Sequence, residues 1–167
     1  MRITFVLFIS LFFLNGLLNA QSKIPDSYVN IGFGAGMNYG FIGTKTVVGV
    51  KNSGLLVGLG FVPGSNGLLG YEIGAQISEK WFFLNAGYGV SGFVKATNED
   101  FKAVHAFNLL AGGMIGLGKN KRTFIDLGLG HTFATERYTV YGLNLTSDSF
   151  NLIIGLGFRL GTIKKDK

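Results

Sequence analysis

The chain has 167 residues and a formal net charge of +6, and 47% of its residues are hydrophobic but only 14% are charged. Soluble domains usually carry about 25% charged residues, so the composition disfavours an ordinary soluble domain. Beyond residue 20 no uninterrupted apolar run approaches the ~18 residues of a membrane-spanning helix, which disfavours a helical membrane protein. Cysteine is absent, so no disulfide stabilises the fold.

The first 20 residues have the pattern of a cleavable secretory signal peptide. Arg2 supplies a positive charge, residues 3–14 are apolar, and a short segment ends on the small residue Ala20 before Gln21. Residues 15–16 interrupt the apolar run. We therefore expect export and cleavage after residue 20, with an uncleaved membrane anchor as the alternative.

Beyond this segment, large apolar residues alternate with small or polar residues, which is the period of a β-strand. Polar segments with residues that favour turns separate the alternating stretches. The pattern predicts eight strands, which cover residues 29–37, 45–50, 55–61, 69–78, 82–91, 107–117, 124–133 and 150–160.

The eighth predicted strand shows which residues share a face. Its bulky apolar residues, from Phe150 to Leu160, stand on one side, and Gly155, Gly157 and Arg159 stand on the other. A soluble antiparallel sheet usually exposes many charges on the face that lies away from its core. A glycine face suits a narrow interior instead, and the chain contains 27 glycines.

Eight such strands predict an all-β fold over residues 21–161, a closed antiparallel up-and-down transmembrane β-barrel, with a short basic tail at 162–167. Three connections are tight turns, four are longer loops, and both chain ends lie on the tight-turn side. Outer-membrane barrels have short periplasmic turns, so we expect this end to face the periplasm. Its rim carries Lys51, Lys80, Lys119, Lys121 and Arg122.

Aromatic residues lie near the predicted strand ends, where amphipathic rings form interfacial girdles in membrane barrels. At the tight-turn end we expect the girdle to contain Tyr28, Trp81, Phe82, Phe124 and Phe158. At the opposite end it would include Phe61, Tyr71, Phe93, Phe107, Phe133 and Phe150.

Four charged residues fall on the glycine face and are predicted to form a charge network in the lumen: Lys45, Glu72, Asp126 and Arg159. A charge inside a narrow barrel is costly unless it is paired or hydrated. We expect Asp126 to pair diagonally with Arg159, and Glu72 to pair with Lys45 across the lumen. Such pairs would either hold the barrel shut or gate a narrow solute pore.

The residues from Val29 to Leu160 resemble the small eight-stranded outer-membrane β-barrel proteins of the A, X and W types. The resemblance implies an integral protein of the Gram-negative outer membrane, surrounded by lipid that includes lipopolysaccharide. Gly155, Phe158 and Leu160 resemble the C-terminal signal through which the barrel-assembly machinery recognises that group. The chain departs from the group where it continues beyond Leu160.

The sequence contains only weak signatures of catalytic, cofactor-binding or metal-binding sites. The G-x-G-x-x-G spacing at residues 87–92 continues a predicted strand, whereas a dinucleotide site needs it to open a helix. His131 could serve a lipid-modifying enzyme only with a partner such as Ser147, Ser149 or Glu136, and the expected H-x-S signature is absent. We predict no enzyme activity, no cofactor, no metal site and no nucleic-acid binding.

The last long connection, residues 134–148, still alternates, which favours either an outward ribbon that binds a protein partner or a mobile loop. The sequence therefore predicts a structural or surface-interaction role through external loops. Three alternatives stay open: a narrow pore, an outer-membrane lipid-modifying enzyme, and a secreted lipocalin-like barrel that binds a hydrophobic ligand in an apolar interior.

Overall fold

The computed structural model describes residues 27–63, 67–94, 102–134, 137–140, 143–146 and 149–162. Almost all of these residues form strands, as the period-two pattern predicts. The strands are β1 (Ser27–Gly36), β2 (Phe41–Val50), β3 (Ser53–Phe61), β4 (Leu69–Glu79), β5 (Phe82–Val94), β6 (Lys102–Leu117), β7 (Thr123–Ala134), β8 (Arg137–Val140), β9 (Leu143–Thr146) and β10 (Ser149–Thr162).

Eight of the strands form a closed antiparallel barrel in the order β1-β10-β7-β6-β5-β4-β3-β2. The barrel closes where β1 pairs with β10, with Asn30 opposite Arg159 and Gly34 opposite Gly155. Closure gives every barrel strand two partners and leaves the barrel without a free sheet edge. The prediction of an eight-stranded, all-β, antiparallel closed barrel is confirmed.

Outside the barrel, β8 and β9 form a separate two-stranded antiparallel sheet. Arg137 lies opposite Thr146, and Val140 lies opposite Leu143. This ribbon (β8 and β9) interrupts the connection between β7 and β10. Its strand pairing matches the ribbon interpretation of residues 134–148.

The outer wall of the barrel is hydrocarbon. Bulky apolar side chains of every barrel strand are exposed, such as Leu55 at 71% and Leu129 at 65%. The apolar surface continues from one strand to the next. For example, Tyr88 on β5 lies opposite Ile73 on β4 and opposite Phe107 on β6. The predicted orientation, with bulky apolar groups outward and small or charged groups inward, is confirmed.

The interior contains two clusters of buried apolar side chains. One consists of Phe83, Leu110, Met114, Phe124 and Ile153, and the other of Tyr28, Val47 and Leu56. The assignment of Tyr28 and Phe124 to the interfacial girdle was therefore wrong. Each lies an even number of residues from an inward polar residue, Asn30 and Asp126 respectively, so the strand period turns both rings into the barrel.

A 3₁₀ helix, Met37–Tyr39, connects β1 to β2 and lies inside the barrel. The sequence pattern placed one of the four longer loops between the predicted strands at 29–37 and 45–50. An external position is wrong for residues 38 and 39, because Asn38 and Tyr39 are fully buried. Gly36 and Gly40 take φ values of 115° and 60°, which reverse the chain at both ends of the helix at little steric cost. Within the described ranges, no helix is long and apolar enough to span a membrane.

Candidate functional site in the barrel interior

The central contact of the interior is an ion pair between Lys45 on β2 and Asp126 on β7, both essentially unexposed. The hydroxyl of Tyr39 donates a hydrogen bond of 2.9 Å to the same carboxylate oxygen, Oδ2. The Lys45 ammonium also lies 5.2 Å from the ring centroids of both Tyr39 and Phe83. The cation is thus neutralised by one carboxylate and flanked by two aromatic faces.

The predicted pairing of these charges was wrong, because Asp126 binds Lys45 and not Arg159. Asp126 lies directly opposite Gly155 on β10. Arg159 is four residues farther along that strand, about 13 Å away at ~3.3 Å per residue. The distance exceeds the reach of a diagonal neighbour, and the long Lys45 side chain instead crosses the lumen to Asp126.

Glycine makes room for the central charges. Lys45 has Gly32 and Gly58 as its cross-strand neighbours, and Asp126 has Gly155 on one side. Tyr39 lies over Gly32 and Gly155, since a Cβ on Gly32 would lie 3.1 Å from its hydroxyl oxygen and one on Gly155 would overlap the ring. A larger side chain at Gly155 would displace the tyrosine.

Towards the tight-turn end, Arg159 is held by neutral groups. Its Nε donates to the Oδ1 of Asn30 at 2.9 Å, and a terminal nitrogen lies 3.7 Å from the sulfur of Met114. The guanidinium carbon lies 5.6 Å from the Tyr28 ring centroid and 6.0 Å from that of Phe124. An amide and two aromatic faces therefore stabilise this cation.

Towards the opposite end, Glu72 belongs to a hydrogen-bond chain across four strands. The predicted pairing of Glu72 with Lys45 was therefore wrong. Asn108 donates to Glu72 at 2.8 Å, and Thr132 donates to Asn108 at 2.7 Å. Asn151 in turn donates to Thr132. Gly58 and Gly89 flank Glu72 in the sheet and leave space for its carboxylate.

These contacts fill the barrel at three levels and join its walls. The lower level contains Arg159, the central level contains Lys45, Asp126 and Tyr39, and the upper level contains Glu72. We call this set of four charged residues, with the 3₁₀ helix, the interior plug. Polar groups joined in this way hold opposite walls of the barrel at fixed separations.

The predicted interfacial aromatics lie at the ends of the strands. Trp81 packs edge-to-face on Phe82 with ring centroids 6.0 Å apart. Phe61 and Phe158 are exposed, and Tyr71 is half-buried. Of the residues that resemble the assembly signal, Phe158 and Leu160 point outward, and Gly155 faces Tyr39.

The structure surrounds His131 with aromatic rings. Its ring stacks on Phe150 with centroids 5.3 Å apart and also packs on Phe133 at 4.7 Å. Residues 136 and 147 lie outside the described residues, as does the side chain of Ser149. Residues 87–92 lie within β5, where no helix follows a glycine loop. No cluster of three or more His, Cys, Asp or Glu side chains occurs in the part of the chain described.

The interior residues that the sequence did not single out include Tyr39, Asn30, Asn108 and Thr132, each of which makes a side-chain hydrogen bond there. For the two asparagines the signal was present, because both stand on the glycine face of their strands. For Tyr39 the only sequence signal was its position between Gly36 and Gly40. That glycine spacing does not distinguish an inward segment from an external turn.

No family model, curated protein or solved structure matches the chain. The likeness to the small outer-membrane barrels therefore stays a prediction from the sequence.

Proposed function

We propose that the protein is an integral β-barrel of the Gram-negative outer membrane with a structural or surface-interaction role through its external loops. The observation that carries the proposal is the inverted polarity of the closed barrel. Hydrocarbon side chains cover its outer wall, whereas Lys45, Glu72, Asp126 and Arg159 are buried inside. Lipid solvates such a wall, and water does not. The signal-like segment at 1–20 supports export.

The interior plug favours a closed structural barrel over a solute pore. Tyr39 and Phe83 flank the Lys45 ammonium in the centre, so aromatic rings and an ion pair occupy the cross-section there. The same observation disfavours a lipocalin-like binder. A barrel of that kind needs an apolar cavity, whereas this interior carries four charged side chains.

The ribbon supports the surface-interaction part of the proposal. Among the residues that the structure describes, its two strands pair only with each other, so each retains an edge that another protein could extend by strand addition. The ribbon follows β7, at the end of the barrel opposite the tight turns. In the proposed orientation that end faces the cell exterior.

Fractionation of a Gram-negative host followed by gel electrophoresis of unheated and boiled samples tests the proposal. We expect the mature chain in the outer-membrane fraction, extractable only with detergent, with an unheated band that migrates faster than the boiled band. A mature chain that stays folded and monodisperse in buffer without detergent would contradict the proposal.

A further inference from the structure

In the tight turns, lysine occupies positions with a left-handed backbone. In most hairpins such positions are occupied by glycine or asparagine. Lys51 and Lys80 each begin a two-residue connection and take φ values of 52° and 55°. Lys121 takes a φ of 46° in the third turn. A left-handed backbone is sterically unfavourable for a residue with a Cβ. The chain contains 27 glycines, so turn geometry alone does not account for three lysines.

A backbone hydrogen bond fastens each of these turns to the barrel strand beyond its own hairpin. The three bonds run from Ser78 to the Asn52 carbonyl at 2.7 Å, from Met114 to the Trp81 carbonyl at 2.6 Å, and from Arg159 to the Arg122 carbonyl at 2.7 Å. The barrel therefore presents the lysines from fixed positions.

All three turns lie at one end of the barrel, and we call their basic residues the cationic rim: Lys51, Lys80, Lys119, Lys121 and Arg122. All except the partly exposed Lys121 are exposed. The acidic side chain at this end, among the residues described, is Glu79, which accepts a hydrogen bond of 2.7 Å from Asn52. The rim is therefore strongly positive.

The cationic rim directly borders the apolar wall. Val50 and Leu55 flank the first turn and are 64% and 71% exposed. Trp81 and Phe82 follow Lys80 and form an edge-to-face pair. This sequence of hydrocarbon, aromatic ring and cation matches the order of acyl chain, interface and headgroup in a bilayer leaflet.

We propose that the cationic rim binds the anionic phospholipid headgroups of the leaflet at the tight-turn end. The inference rests on the proposed membrane location. The cations are spread over three hairpins around the barrel, so lipids that encircle the barrel can contact every turn at once. The attraction between the lysine ammonium groups and lipid phosphates also explains why lysine, rather than glycine, occupies these turn positions with a left-handed backbone.

Quenching of tryptophan fluorescence tests the proposal, because the chain contains one tryptophan, Trp81, next to Lys80. The full-length protein is refolded into vesicles of phosphatidylglycerol and phosphatidylcholine, with bromine on one lipid or the other at the same overall composition. We expect brominated phosphatidylglycerol to quench Trp81 with an apparent lipid preference of at least about threefold. High salt should reduce that preference towards equality.

Two variants separate charge from folding. Replacement of Lys51, Lys80 and Lys121 together by glutamine should abolish the preference, and replacement of all three by arginine should keep it. Equal quenching by both brominated lipids in the inserted wild-type protein would overturn the proposal. So would lysine-dependent retention on isolated peptidoglycan without any lipid preference. If neither lipid quenches Trp81, the protein is not in the bilayer, and the proposed membrane location fails instead.

Discussion

Tyr39 reaches the centre of the barrel because the strands beside it carry no side chains at that level. Gly32 and Gly34 on β1 and Gly155 on β10 lie under its ring. Its hydroxyl donates to Asp126, and its face lies beside Lys45. Each interior glycine of this kind loses backbone entropy on folding, and the packing of a large neighbour offsets that loss.

The substitution Gly155→Ala tests this packing. The added methyl group would overlap Tyr39 and push its hydroxyl away from Asp126, so we expect the free energy of unfolding to fall by about 1–3 kcal/mol. Urea titration of the unheated band on gels measures the change. The control is Gly92→Ala, because a Cβ at Gly92 meets nothing within 4 Å. Equal losses in both variants would contradict the Tyr39 contact.

A double-mutant cycle tests the partner of Asp126. Loss of either partner leaves a buried charge without its counter-ion, so Asp126→Asn or Lys45→Gln alone should destabilise the barrel by about 3–5 kcal/mol. The double variant should lose much less than the sum of the two single losses. The matched cycle of Asp126→Asn with Arg159→Gln should be nearly additive. Strong coupling to Arg159 with none to Lys45 would reverse the assignment.

At the scale of elements, the tight turns and the ribbon differ in their attachment to the barrel. Each tight turn is fastened to the adjoining strand by a backbone hydrogen bond. The two strands of the ribbon instead pair with each other, and within the described ranges they pair with no barrel strand. Isolated two-stranded sheets are marginally stable in water, so we expect the barrel not to depend on the ribbon for its own stability.

Glycine in the left-handed turn positions should stabilise the barrel. Lys51→Gly and Lys80→Gly each remove the Cβ that makes a positive φ sterically unfavourable. We therefore expect the free energy of unfolding to rise by up to about 1 kcal/mol per site. Denaturant titration of the refolded protein in detergent measures the gain. Lys119→Gly is the control, since Lys119 lies in the third turn without a positive φ. A comparable gain at Lys119 would show that backbone strain is not the cause.

Removal of the ribbon should leave the barrel intact. With residues 137–146 replaced by a short Gly-Ser linker, we expect the same shift between unheated and boiled bands as in the wild-type protein. The cost of closing a somewhat different loop is small, ~0.6 kcal/mol for a twofold change in length. Loss of the fast-migrating band would show that the ribbon contributes to barrel folding.

At the scale of the whole molecule, the barrel reverses the usual distribution of polarity. Its outer wall is hydrocarbon, and its interior is crossed by an ion pair and a hydrogen-bond chain. Wall and plug support each other, because the contacts of Lys45 with Asp126 and of Arg159 with Asn30 join strands that are distant in the chain.

The interior plug predicts an electrically silent protein. Reconstituted into planar bilayers, the wild-type chain should produce no discrete conductance steps, because aromatic rings and the Lys45–Asp126 pair fill the central cross-section. An open porin in the same bilayers serves as the positive control. Reproducible unitary steps from the purified chain would refute a closed plug.

Much of the architecture could be predicted from the sequence, since side-chain alternation is a property of each strand alone. It determined the number of barrel strands, the apolar outer face and the inward position of all four charged residues. The same alternation also places Tyr28 and Phe124 on the inward face. We assigned both to the interfacial girdle because they are aromatic.

Only the tertiary structure decided which interior groups meet. Lys45 and Asp126 are 81 residues apart, and their contact depends on the stagger of every strand between them. The entry of the 3₁₀ helix into the lumen likewise depends on glycines from β1 and β10. A period-two pattern specifies the face on which a side chain stands but not its height along the barrel axis, because register arises from pairing between strands.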